Sequence, residues 1–396
     1  MSDRTVAVLG GAVGGLAAAE RLRAFGDVTL YERESYADKR VNCGEAVNEA
    51  GLVPLEKSPV NGFLNRVEGF DLDIHADTER GPDAAPLTRS RVDVEDGYIT
   101  DRNVVERRWA ERLAAGEGGP AVDVREGANV TTRRYEELVD DCDVVVDATG
   151  QPALSLKAAG RTGEYTGDMV ALNADVEGDF STFVRTPRIV FEGYVGYFWV
   201  FPKSATRANV GIGWAGEERP DDYMGALEAA CERNGVPVPP REATNVYTIP
   251  RGPSLDPAWT HPEGNVFLVG DAAGIANRYQ GEGICQAIRS ANLLADLLRE
   301  GRAGEYPAAL YRLMRSEYRL ATLMRGVWEE SGGDARLLAA VAAAIDGLTV
   351  TDVTRRPRVV AARLARRPGT ALALLRHPGF RRRLVDAYAD RWEYAV

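Results

Sequence analysis

The chain has 396 residues, 45% of them hydrophobic, and a formal net charge of -11. That length and composition predict a large core and two domains of mixed α/β type, and exclude a disordered or fibrous protein. The acidity excludes non-specific nucleic-acid binding by the molecule as a whole.

Arg4 to Leu9 is a β-branched apolar run, Gly10 to Gly15 a glycine-rich turn, and Leu16 to Ala24 a helix-forming stretch. A second apolar run, Val28 to Tyr31, ends on Glu32, 22 positions after Gly10. This is a βαβ unit with an acid at the tip of its second strand. Such a unit sets a dinucleotide pyrophosphate on the helix N-terminus, where unpaired N–H groups and the helix dipole favour anionic oxygens, while the acid accepts from ribose hydroxyls. Aligned on Gly10, the GxGxxG pattern has Ala12 at its second glycine and Gly15 at its third, with Ala19 as the small residue that lets helix pack on sheet. Gly10, Ala12, Gly15 and Glu32, with the adjacent Arg33, are therefore expected to hold the cofactor.

The polar segment from Arg33 to Lys57 carries Arg40-Val41-Asn42-Cys43-Gly44-Glu45 and reads as a loop before a short helix. Val60 to Gly97 alternates apolar and polar residues, as β-hairpin strands do. An amphipathic helix is expected over 103–115, directly after Arg102, with strands at 122–130 and 142–150. Runs at 169–176, 188–194, 196–201 and 208–214 predict an antiparallel sheet, completed by a helix at 221–234 and a strand at 244–249. Asn265 to Val269 then enters Gly270-Asp271-Ala272-Ala273-Gly274, and Gly281-Glu282-Gly283 opens a long helix to Arg299. Everything beyond Glu305 has a helical pattern. The expected architecture is an α/β fold: a discontinuous Rossmann-type nucleotide domain (1–59, 98–160, 255–300), an antiparallel sheet domain (60–97, 161–254) and a helical C-terminal region (301–396).

Three separated segments, Gly10 to Glu32, Asp143 to Gly150 and Gly270-Asp271 with its following helix, resemble the FAD-dependent oxidoreductases with the glutathione-reductase type of nucleotide fold. The resemblance implies that Asp271 binds the ribityl chain of FAD and that amides of the helix beyond it stabilise the anionic reduced flavin. Within that superfamily the chain, from Met1 to about Arg299, is similar to the geranylgeranyl reductase family. Arg40 to Glu45 resembles the family's Cys-Gly segment beside the flavin, and Tyr197-Phe198-Trp199-Val200-Phe201-Pro202 its YxWxFP signature. The triplet Gly281-Glu282-Gly283 matches too, and Arg102 matches an arginine that touches FAD in related enzymes. The usual proline before the signature is Tyr194 here, and Asp147-Ala148-Thr149-Gly150 departs from the usual ADG form. The implied activity is saturation of C=C bonds in geranylgeranyl chains of archaeal lipids, with an external electron donor such as ferredoxin, a reduced nicotinamide or a deazaflavin. A flavin-dependent hydroxylase and a non-catalytic prenyl carrier are the alternatives.

On a strand, Tyr197, Trp199 and Phe201 project from one face. Such an aromatic wall over a flavin suits a polyprenyl chain, which only burial can hold. Cys43, in an arginine-flanked loop, suits a proton donor or modulator beside the flavin. Cys43, Tyr197 and Trp199 are the candidate catalytic set, and the three histidines show no metal-ligand pattern.

Only Lys39, Lys57, Lys157 and Lys203 are lysines, so 48 - 4 = 44 basic residues are arginine. This composition resembles that of proteins from salt-loving archaea, and part of the acidity then reflects solvation in salt. Four cysteines without CxxC spacing suggest a reducing compartment. An immediate first strand and the lack of a long apolar run predict a cytoplasmic protein. Between Arg355 and Arg383 stand ten arginines and no acid or lysine, leaving the remainder at -11 - 10 = -21. With interleaved Val359, Val360, Leu364, Leu372, Leu374, Leu375 and Phe380, broken at Pro368 and Pro378, this stretch suits peripheral contact with an anionic membrane face. The alternative is that these arginines pair with the acidic body of the same molecule.

Overall fold

The computed structural model describes residues 4–39, 41–162, 166–215, 218–251, 260–262, 264–277, 281–330 and 335–390. Arg40, which opens the expected Cys-Gly segment, lies outside them. The nucleotide side is built on β1 (Thr5–Leu9), α1 (Val13–Leu22) and β2 (Asp27–Tyr31). Val6 to Leu9 are at most 2% exposed, because helices cover both faces of the strand and every position must be apolar. β3 (Ala46–Val47), β4 (Phe63–Ile74) and β5 (Thr88–Thr100) follow, then α2 (Arg102–Ala114), β6 (Asp123–Arg125), α3 (Thr132–Asp141), β7 (Val144–Asp147) and α4 (Leu154–Ala158).

The second sheet continues with β8 (Thr166–Glu177), β9 (Arg188–Phe191), β10 (Gly196–Pro202), β11 (Arg207–Ala215), α5 (Tyr223–Arg233) and β12 (Asn245–Arg251). The chain returns to the first sheet with β13 (Val266–Leu268) and α6 (Ile284–Arg299). The first sheet is parallel, in the order β13-β7-β1-β2-β6. Its connections leave β1 in opposite directions, so the crevice at the C-terminal end of β1 is the topological switch point where a ligand binds.

The second sheet runs β12-β8-β11-β10-β9-β4-β5-β14, with β3 also on β5. It is mixed, not purely antiparallel as expected: β4 lies parallel to β9, with Asp71 opposite Arg188. The reason is topological, since the β4–β5 hairpin enters the sheet before the chain returns to the nucleotide side, and β9 joins it only on a later visit. Its β10 is central, pairing Phe198 with Val190 on one side and Trp199 with Gly211 on the other. Phe198 and Val200 face one core with Leu227 and Cys231 of α5, while Trp199 and Phe201 face another with Phe70 and Ala171.

The C-terminal region comprises α7 (Tyr306–Glu330), α8 (Ala335–Ile345), β14 (Leu348–Thr349), α9 (Val350–Arg355), α10 (Pro357–Ala365), α11 (Pro368–Arg376) and α12 (Pro378–Tyr388). The expectation of helix throughout is corrected by β14, whose Leu348 pairs in parallel with Val92. Thr349 and Asp352 form a capping box that starts α9 at once. Each of the last three helices opens with proline in its first turn, where a missing N–H costs nothing. Their inner faces supply Val360, Leu374 and Phe380 to the core. Arg355 pairs with Glu49 and Arg356 with Asp352. Arg358, Arg366, Arg367, Arg376 and Arg381 are exposed, and none has an ion pair among the described residues. Among the described residues no helix is long and apolar enough to cross a membrane.

Candidate functional site

A cleft of about 560 Å³ runs along the C-terminal ends of β1, β2 and β7, lined by Gly10 to Gly14, Glu32, Arg33, Arg102 and Asp271. Gly10 has φ +96°, and a Cβ there would stand 2.4 Å from the Ala148 carbonyl oxygen. A Cβ on Gly15 would stand 1.8 Å from the Gly10 carbonyl oxygen, so the turn closes tightly against the helix it starts. Ala12, where the glycine pattern departs, is the N-cap of α1. No side chain caps that end and no acid occupies its first turn. The open amides and the helix dipole suit a phosphate anion there.

Glu32 is 5% exposed. Its Oε2 accepts from the Gly11 N–H (3.0 Å) and Lys39 Nζ (2.7 Å), and its Oε1 from the Glu34 N–H (3.1 Å). Burial pushes its pKa up, but Lys39 and the two amides outweigh that and hold it below the ordinary value. Two oxygens with about four lone-pair directions leave room for a ribose hydroxyl. Arg33, by contrast, stands on the rim, its side chain 73% exposed and paired with Glu34.

Behind the cleft the charges form a chain. Lys39 also meets Glu106 (3.0 Å), which accepts from Arg102 Nε (2.9 Å). Cys43 stands close enough to the Arg102 guanidinium to act on its charge. Burial works against its charge, but Glu106 and Cys43 more than restore it. The Arg102 backbone N–H donates to Glu45 Oε1 (2.8 Å), and Lys203 bridges Glu45 to Asp175. Glu45 has φ +63°, a strained backbone for a non-glycine residue that these contacts hold in place. Arg102 is thus neither a surface arginine nor isolated: it fixes the Cys43 loop.

Asp271 lies beside the N-terminus of α6, and a Cβ on Gly283 would meet its Oδ1 at 3.0 Å. Burial raises its pKa, with Arg102 opposing. No side chain caps α6 and no acid occupies its first turn. The amide of Gln151 lines the cleft with both polar atoms buried and unpartnered among the described residues. Two open helix ends, two acids and an orphaned amide fit the pyrophosphate, sugars and polar ring edge of a flavin dinucleotide. Asp147, in the segment that departs from ADG, instead turns inward to accept from Thr149 and Ser155.

A second cavity, about 210 Å³, adjoins the cleft and is mainly apolar. Tyr197, Trp199 and Phe201 form one wall as the strand period predicts, with ring centroids 5.7 and 6.1 Å apart in sequence. Trp199 Nε1 donates to Asn209 Oδ1 (2.9 Å), which fixes the indole. Leu320, Met324, Val353 and Val360 of the C-terminal helices also line it. Cys43, Gly44, Tyr247, Gly281, Gly283 and Ile284 line both compartments, so the two meet there. The structure thus brings together every candidate site residue, with Arg33 at the edge.

Sequence reasoning missed Lys39, Glu106, Tyr247 and Gln151, and it valued Gly281 and Gly283 but not the Glu282 between them. The scarcity of lysine was a usable signal for Lys39 and Lys203, since each bridges two carboxylates. Nothing local in the sequence marks Tyr247.

No protein-family model matches the chain. It is similar to the digeranylgeranylglycerophospholipid reductase of Methanothrix thermoacetophila, 27% identical over 327 residues, 76% of this chain and 79% of that one. It is also similar to digeranylgeranylglycerophospholipid reductase 2 of Methanothermobacter thermautotrophicus, 28% identical over 319 residues, 74% of this chain and 77% of that one. Both come from methanogens, so a salt-loving origin rests on composition alone. Among solved structures, a geranylgeranyl bacteriochlorophyll reductase-like protein from Thermoplasma acidophilum has a TM-score of 0.65 at 19% identity, covering 94% of this chain and 99% of its own. The flavin-dependent halogenase CmlS has a TM-score of 0.60 at 15% identity, covering 93% of this chain and 70% of its own. These two show the shared fold. The chain is a flavin-dependent redox enzyme with FAD as its cofactor, similar at the family level to the digeranylgeranylglycerophospholipid reductases.

Proposed function

We propose that the protein saturates C=C bonds of geranylgeranyl chains in archaeal phospholipids or related isoprenoids. One observation carries this reading: a mainly apolar, aromatic-walled cavity meets the nucleotide cleft at Cys43, Gly44 and Gly281 to Ile284. A polyprenyl chain is held there by burial alone, at about 25 cal/mol per Å² of apolar surface. Bound and reduced, FAD supplies hydride. Tyr197, Trp199 and Phe201 set the chain's position, the apolar walls exclude water, and Cys43, beside the Arg102 charge, modulates the reacting end. The electrons come from an external donor of the ferredoxin, nicotinamide or deazaflavin class.

On the same reading, Arg358, Arg366, Arg367, Arg376 and Arg381 and the exposed Leu372, Leu375 and Val385 of the C-terminal helices rest on an anionic lipid surface. Those helices also contribute Val353 and Val360 to the cavity lining, so on this reading the lipid surface and the cavity share one set of helices.

The deciding experiment reduces the enzyme-bound flavin chemically without oxygen and adds geranylgeranyl phospholipid. Flavin reoxidation with a gain of two hydrogens per double bond, by mass spectrometry, is expected. Oxygen insertion in air with a reduced nicotinamide, and no anaerobic reduction, identifies a hydroxylase instead. Prenyl binding by flavin-free protein with neither reaction identifies a carrier.

A further inference from the structure

Glu282 sits between two glycines that line both compartments, yet its own side chain lines only the apolar one. It is an acid placed against a mainly apolar cavity at the point where the cleft opens into it. Its Oε1 accepts from Asn48 Nδ2 (3.2 Å), and no cation lies within ion-pair distance of it among the described residues. Arg289 of α6, the helix that starts two residues after Glu282, is engaged elsewhere: it meets Glu317 (3.2 Å) and Glu49 (3.6 Å). Arg355 of α9 is held by Glu49. Glu317 of α7, 2% exposed, accepts from Asn277 (3.2 Å) and Gln286 (2.5 Å) as well. The groups around Glu282 are therefore a spoken-for carboxylate, two spoken-for guanidiniums, the Cys285 thiol and the amides of Asn48 and Gln286.

A carboxyl in that setting prefers to keep its proton. Burial and the Glu317 charge push Glu282 up to about 7, against the Asn48 hydrogen bond and Arg289. The Asn48 amide suits either state. Its Oδ1 is buried without a partner among the described residues, so turning the amide over replaces a donor to the carboxylate by an acceptor for the acid.

We propose that Glu282 is the proton donor of the reaction, delivering its carboxyl proton to one alkene carbon of the substrate. The inference rests on the reductase reading above. The alkene π pair takes the proton from the Glu282 O–H and becomes the new C–H bond at one carbon. Hydride from the reduced cofactor forms the C–H bond at the other. One C=C becomes one C–C, the carboxylate left behind is reprotonated from solvent, and the external two-electron donor restores the reduced cofactor.

The test compares wild type with Glu282→Gln, Tyr247→Phe and Cys43→Ser, each carrying FAD. Gln keeps the oxygen that accepts from Asn48 but has no acidic proton. The first readout is a difference infrared pH titration. Wild type is expected to show a protonated-carboxyl band that is lost as pH rises through neutrality, and Glu282→Gln to lack it. The second is single turnover with chemically reduced flavin. Glu282→Gln is expected to be about 10²- to 10⁴-fold slower, with its dependence on pH near neutrality abolished while substrate affinity and FAD content stay at wild-type levels. Tyr247→Phe and Cys43→Ser should keep the fall in rate as pH rises. The proposal is overturned if wild type lacks the band, if Glu282→Gln keeps rate and pH profile, or if either other variant flattens the profile instead. A wild type that reduces no alkene at any pH brings down the reductase reading and the donor role together. That outcome is distinct from a Glu282→Gln variant that matches an active wild type.

Discussion

Lys39 Nζ lies 2.7 Å from Glu32 Oε2, so the acid at the β2 end of the cleft arrives already paired. The same ammonium reaches Glu106, which is fully buried. Lys39→Met would leave two buried carboxylates with fewer partners, at a cost of about 3–5 kcal/mol. Lower thermal stability and reduced FAD retention are expected, measured by calorimetry and by flavin absorbance after gel filtration. The pH dependence follows from the lowered pKa of Glu32. A carboxyl held below its unfolded value stabilises the fold above that value and loses the effect as pH falls through the folded one. The stability advantage of wild type over Lys39→Met should therefore shrink as pH falls through the folded value of Glu32.

Gly14 and Gly15 are neighbours in α1 but should respond oppositely to a methyl group. A Cβ at Gly15 meets the Gly10 carbonyl oxygen at 1.8 Å, whereas one at Gly14 comes no closer than 3.4 Å to the Ala287 Cβ. Gly15→Ala should open the turn and abolish FAD retention. Gly14→Ala should melt within a few degrees of wild type in the flavin-free state, since alanine also gains about 1 kcal/mol of helix propensity.

Trp199→Ala should leave FAD content unchanged and strip the cavity of its central wall. Truncating a buried tryptophan costs about 3–5 kcal/mol, and here it also leaves Asn209 without its indole donor. Loss of prenyl-lipid binding with a normal flavin spectrum is the expected pair of results. A normal rate of lipid reduction would return the residue to a purely packing role.

Deleting the C-terminal helices is a poor test of membrane contact, because Val360, Leu374 and Phe380 belong to the core. Replacing exposed Arg366, Arg367, Arg376 and Arg381 by Glu reverses the outer charge and spares the inner face. Sedimentation with anionic liposomes should fall to the level seen with neutral ones, FAD content being unchanged. Equal binding of wild type to neutral and anionic vesicles would refute an electrostatic contact. The comparison belongs at low salt, since at about 1 M the screening length is only about 3 Å.

The nucleotide half was legible because strand, turn, helix and acid are contiguous from Arg4 to Glu32, so local pattern and fold coincide. The aromatic wall was legible from strand period alone. α3 was not, because only Tyr135 and Leu138 of its ten residues are buried and the rest is polar. β14 is two residues long and gains its identity from pairing with β5, far away in the chain. The charge chain of Lys39, Glu106, Arg102 and Glu45 and the isolation of Glu282 depend on which groups are already taken, which spacing in a sequence does not reveal.

The Glu45 carboxylate is grasped from both sides, by the Arg102 backbone N–H at the start of α2 and by Lys203 at the end of β10. Its carbonyl oxygen also accepts from the Thr100 N–H and hydroxyl. The loop bearing Cys43 is thereby riveted to the second sheet and to the start of α2, and the joint cannot act as a hinge without exposing a buried charge. Motion that widens the adjoining cavity is then expected among its apolar side chains, Leu320, Met324, Val353 and Val360, which can shift without uncovering a charge.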